Sequence, residues 1–83
     1  MTMEEIYAIC KLVFPDKQVQ FNGCDVCISW NYCGLFRRIR VEQHYDFILI
    51  NSISRLPSWF MNRVDYSYVA GKGRVFKGFK GPD

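Results

Sequence analysis

The stretch Gln18-Val-Gln-Phe-Asn-Gly-Cys-Asp-Val-Cys-Ile-Ser-Trp-Asn-Tyr-Cys-Gly-Leu-Phe-Arg-Arg-Ile-Arg-Val-Glu-Gln43 decides the fold. Apolar and polar residues alternate along it with a period of two, and the alternation breaks at Asn22-Gly23 and again near Asn31 to Gly34. Successive side chains of a strand point to opposite faces, so three alternating runs separated by turn residues predict an antiparallel three-stranded meander. The first run, about Gln18 to Asn22, sets Val19 and Phe21 on one side. Asn22-Gly23 tolerates the positive φ that a type I′ hairpin turn demands. In the second run Val26, Ile28 and Trp30 share a face, and Asp25, Cys27 and Ser29 share the other. In the third, Leu35, Ile39 and Val41 share a face with Arg37 intruding, while Phe36, Arg38, Arg40 and Glu42 take the opposite one. One face of the sheet is therefore scaffold, and the other is polar and basic with an aromatic ring on it.

Working outward, Thr2 followed by Glu5 has the spacing of a capping box, and Ile6, Ile9, Cys10 and Val13 form the apolar stripe of an amphipathic helix. Pro15 ends it, because the residue before a proline is pushed out of the helical region. A helix over Met3 to Phe14 results, and the sheet is the surface it can bury against. Beyond the meander, Asp46 is a good N-cap and Pro57 a stop. That pair predicts a short helix through Asn51 to Arg55, although Tyr45, Phe47 and Leu49 also alternate as a strand would. Pro57 to Met61 begins a further helical turn or structured loop. Val64, Tyr66 and Tyr68 alternate with Asp65 and Ser67, Ala70 to Gly73 is a glycine-rich turn, and Arg74 to Phe79 resumes the extended pattern. A single helix from Pro57 to Ala70 would also place Phe60, Val64 and Tyr68 four apart, but the β-branched and aromatic content favours a C-terminal hairpin. Gly78 to Asp83 reads as a loose tail. The expected architecture is α+β: an N-terminal helix on a three-stranded antiparallel meander, a short helical connection and a C-terminal β-hairpin.

A chain of 83 residues makes one domain with one modest core. Its 49% hydrophobic content puts it among folding sequences, and its 17% aromatic content leaves rings for the surface. The net charge of +3 is unevenly spread. Residues 1–30 set two lysines against four carboxylates, whereas residues 31–83 set nine basic side chains against four. The basic half favours an anionic partner, although +3 is also an ordinary charge for solubility. The N-terminus lacks the basic, apolar and small-residue succession of a signal peptide, and the longest apolar run, Phe47 to Ile50, is far short of the ~20 residues of a membrane span. No membrane association is expected. Four cysteines in a chain without a leader read as reduced thiols, so a cytoplasm is the expected compartment, the host's if the protein is viral.

The chemistry-bearing residues do not assemble into a known motif. Cys24, Cys27, Cys33 and His44 are nominally a zinc set, but a strand through Cys27 separates it from Cys24, and the wider spacing fits no zinc pattern. A redox Cys-x-x-Cys needs its first cysteine at a helix N-terminus, and a cysteine nucleophile needs an oriented histidine. His44 has no companion that would orient it. Scattered carboxylates give no paired acid and base, and Gly71-Lys72-Gly73 is too short for a phosphate loop. No catalytic residue, metal or cofactor is expected.

Two basic groups remain: Phe36, Arg37, Arg38 and Arg40 on the third strand, and Lys72, Arg74, Phe76 and Lys77 in the hairpin, with Lys80 and Phe79 beyond. Arginines beside an aromatic on a sheet face hold single-stranded nucleic acid by stacking and phosphate contact, and they also serve as plain solvated residues that keep an edge from aggregating. Small size, high aromatic content and one-sided charge together predict a non-enzymatic protein-binding module. Such a module would be an inhibitor or adaptor that occludes a larger protein or nucleoprotein complex with an acidic surface. Compact chains of this kind are common among viral and mobile-element proteins, so the concrete expectation is inhibition of a host nucleic-acid enzyme or defence complex. The alternative is direct nucleic-acid binding through the strand-three arginines and the basic hairpin.

Overall fold

The computed structural model describes residues 1–81, and Pro82 and Asp83 of the expected tail lie outside them. Helix α1 (Met3–Val13) is followed by β1 (Gln18–Phe21), β2 (Asp25–Tyr32), β3 (Leu35–Gln43), β4 (Ile48–Asn51), the single-turn helix α2 (Ser58–Met61), β5 (Val64–Val69) and β6 (Gly73–Phe79). The strands form one antiparallel sheet in the order β1-β2-β3-β4-β6-β5. The α+β class and the N-terminal helix are as expected, and the meander is the first half of a larger sheet.

Helix α1 starts where its sequence says it should. The Thr2 hydroxyl accepts from the Glu5 backbone N–H at 3.1 Å, and the Glu5 carboxylate accepts from the Thr2 N–H at 2.8 Å. Met3, Ile6 and Cys10 are buried against the sheet, and Phe14 closes the helix in the core. Below them lie Val19, Val26, Ile28, Ile39, Val41 and Ile50, all from one sheet face. Each fully buried Val or Ile contributes roughly 1.5–3 kcal/mol. Leu56, Phe60 and Val64 complete the core, with Phe60 stacked 5.8 Å from Phe14. Both helices cover the same face, and the other is left open.

Three expectations are corrected. Residues 48–51 form strand β4, not a helix capped by Asp46. Strand β3 would otherwise carry a free edge, and Ile48 and Ile50 satisfy it while placing their side chains toward the core; a helix here would leave the edge unpaired. Asn22-Gly23 is not a pair of positive-φ residues, because only Gly23 is (φ +98°). The Asn22 side-chain oxygen instead accepts from the N–H groups of Cys24 and Asp25 at 3.1 and 2.8 Å, an Asx turn. The two consecutive positive-φ residues are Cys33 (+52°) and Gly34 (+79°), which join the paired residues Tyr32 and Leu35. Finally, ordered structure reaches into the supposed tail: Gly78 and Phe79 belong to β6, and the Lys80 N–H donates to the Arg63 carbonyl at 2.8 Å.

Candidate functional site

Register decides which of the singled-out residues meet. Phe36 pairs with Asn31, Arg38 with Ser29 and Arg40 with Cys27, so these three side chains share the open face of the sheet. Arg37 pairs with Trp30 and therefore stands on the helix-covered face. There its guanidinium Nη1 donates to the Ser54 hydroxyl at 2.6 Å.

The three open-face residues are not equivalent. The Arg40 guanidinium lies 3.5 Å from Glu42 and 3.9 Å from Asp25. Glu42 also accepts from the Asn51 amide at 3.1 Å and faces His44 Nε2 at 3.3 Å. Burial pushes the Glu42 carboxyl up, but the bonds from Asn51 and His44 and the charge of Arg40 outweigh it and hold the group below its ordinary value. Arg40 is thus tied into a local network in which two carboxylates offset its charge. Arg38 has no ion pair among the described residues, and it stands beside Phe36, which is 65% exposed. Tyr32 (62%) and Leu35 (56%) are exposed on the paired ends of β2 and β3. The hairpin tip therefore offers Phe36 to water next to an uncompensated cation on the open face, and Tyr32 and Leu35 on the opposite face.

The second basic group does not form one surface. Lys72, in the β5–β6 turn, lies over the Phe47 ring at 4.7 Å, and Phe47 in turn stacks on His44 at 4.7 Å. Arg74 and Phe76 alternate onto one face of β6, where Phe76 packs edge-on against Phe79 at 5.3 Å and against the core. Lys77 is the extra residue of a β-bulge, since Tyr66 pairs with Phe76 but Asp65 with Gly78, and it is exposed.

Sequence reasoning missed a pocket of about 460 Å³ between the end of the meander and residues 52–59. Trp30, Trp59 and Tyr32 supply its rings, and Arg37, Arg38 and Arg55 its charges. Among the described residues no carboxylate lines it. The two tryptophans meet edge to face at 4.9 Å. Alternation marks Trp30 as a core-side residue, but nothing in the sequence joins it to Arg55 or Trp59, because the helix expected through Asn51 to Arg55 gives them no route to it.

The cysteines are dispersed. Cys10 is buried, Cys24 and Cys33 are exposed in turns, and Cys27 is half-buried on the open face. Desolvation pushes the Cys10 thiol up to about 12. Among the described residues no three Cys, His, Asp or Glu side chains converge on a metal position. Among the described residues no helix is long and apolar enough to cross a membrane.

The fold so defined is a small α+β domain with one covered and one open sheet face. No family model matches the chain, no curated protein is similar to it in sequence, and no solved structure matches it.

Proposed function

We propose that this protein is a non-enzymatic binding module, an inhibitor or adaptor that occludes a larger protein or nucleoprotein complex presenting an acidic surface. The observation that carries the reading is the exposed hairpin tip, where Phe36 stands beside the unpaired cation of Arg38 on the open face and Tyr32 and Leu35 are exposed on the opposite one. Large exposed apolar side chains grouped beside one charge are the composition of an interface centre, whereas isolated ones need no explanation. A host nucleic-acid enzyme or defence complex is the partner class that this reading names.

Direct nucleic-acid binding is the second reading, favoured by Phe36 and Arg38 standing together on an open sheet face. Titration with single- and double-stranded oligonucleotides at about 50 and about 200 mM salt separates the two, because phosphate contacts lose affinity steeply as salt rises. The module reading expects little affinity at either salt concentration. Tight, steeply salt-dependent binding would replace it with the second reading. Against a partner captured from the native cell, Phe36→Ala combined with Arg38→Glu should weaken binding by roughly 30-fold or more, as expected for an interface centre. Both residues are exposed, so stability should hold within about 0.5 kcal/mol. Undiminished partner affinity in that variant would remove the hairpin tip from the interface.

A further inference from the structure

Strand β3 is nine residues long, but β4 pairs only with its second half, from Arg40 to Gln43. The direction of the free backbone groups in the first half follows from the ladder. His44 N–H donates to the Phe47 carbonyl at 2.9 Å, so the backbone groups of His44, Glu42 and Arg40 point toward β4. Gln43 N–H donates to the Cys24 carbonyl at 3.3 Å, so Gln43, Val41, Ile39, Arg37 and Leu35 point toward β2. By the same alternation, the N–H and C=O of Phe36 and Arg38 point away from β2. They find no partner among the described residues. The chain leaves the sheet after Asn51 and passes this edge with only the Arg37 to Ser54 side-chain bond, and the pocket of about 460 Å³ opens beside the edge.

Resting on the binding-module reading, we propose that an acidic, extended segment of the partner protein adds to this edge of β3 as a strand in line with β4. Its main chain bonds the free N–H and C=O groups of Phe36 and Arg38. Alternate side chains then fall on the two faces. Those opposite Phe36 and Arg38 reach the open face and the Arg38 guanidinium. Those opposite Arg37 enter the pocket, with apolar atoms against Trp30 and Trp59 and carboxylates toward Arg37 and Arg55. Charge selects the occupant: among the described residues the lining has three arginines and no carboxylate. A second copy paired on the same edge would set Arg37 and Arg38 against like charges, which disfavours it.

The test is selection of binders from a random dodecapeptide library on the full chain, followed by amide hydrogen exchange on the protein with a selected peptide bound. Selected sequences should carry Asp or Glu at alternate positions. Binding should slow exchange at Phe36 and Arg38, while Leu35, Arg37 and Ile39, already paired to β2, change little. The same peptide N-methylated at every second amide should lose its binding, and Arg37→Gln with Arg55→Gln should weaken it roughly tenfold. Selected peptides that instead protect the Lys72 to Lys77 hairpin would overturn the edge proposal and leave the module reading standing. An empty selection, with or without tight binding of a dT12 oligonucleotide, would overturn both. Protection of the same two amides by self-association alone would give the edge to a second copy and also overturn the proposal.

Discussion

Cys33 is the residue at which this chain departs furthest from its own local rules. It sits at φ +52°, the one non-glycine residue with positive φ among those described, in the two-residue loop that joins β2 to β3. An L residue with a full Cβ pays on the order of 1 kcal/mol for that conformation, and asparagine tolerates it far better. Cys33→Asn should therefore stabilise the protein by about 0.5–1 kcal/mol, raising its melting temperature by several degrees for a domain of this size. An unchanged or lowered transition would show that the thiol makes a compensating interaction. Glu42 contributes to the loss of stability in acid. Its carboxyl is held below the ordinary value of 4.5 in the folded state, so it binds a proton less readily folded than unfolded. The resulting stability is fully present above the unfolded value and is lost as pH falls through the lower folded one. Glu42→Gln should flatten the decline in denaturation midpoint below about pH 4.5 relative to the parent chain.

At the level of elements, legibility tracked how local the deciding interaction was. Helix α1 could be read to within a residue because its start rests on Thr2 and Glu5, three apart, and its end on Pro15. The meander could be read because alternation is a property of each strand alone, and the C-terminal hairpin because Ala70 to Gly73 marks its turn. Strand β4 could not. Asp46 and Pro57 are genuine helix signals, and they lose to the demand of Glu42 and Arg40 for backbone partners, which becomes visible only once β3 is placed. The same error hid the pocket. With residues 46–55 read as helix, Arg55 and Trp59 had no route to Trp30, and Arg37 remained an intruder on an apolar face rather than the residue bonded to Ser54. Of the two basic groups, the third-strand faces were correctly divided by alternation, but the neutralisation of Arg40 by Asp25 and Glu42 depends on cross-strand register that sequence does not fix.

The whole molecule is two hairpin systems sharing one core, and the joint between them is thin. The meander with β4 is laddered continuously, and β5 with β6 along their lengths apart from the bulge at Lys77, but β4 and β6 share the single register pair Leu49 and Val75. That pair lies on the face without helices, where Leu49 fills the space above Gly73, 3.6 Å from where a Cβ would sit. On the other face the C-terminal hairpin is held by Val64 and Phe60 in the common core. Cutting the joint on one face should loosen the hairpin without unfolding the rest. Leu49→Ala removes the apolar atoms packed on Val75 and Gly73, and for a half-buried leucine that costs about 1–2 kcal/mol. If the loss falls on the joint, amide exchange in β6 should accelerate roughly 5–30-fold, while β2 amides such as Ile28 keep the protection set by global unfolding. Equal acceleration in β2 and β6 would mean that the sheet opens as one unit, and that Val64 and Phe60 bind the two hairpins together more strongly than the single pair suggests.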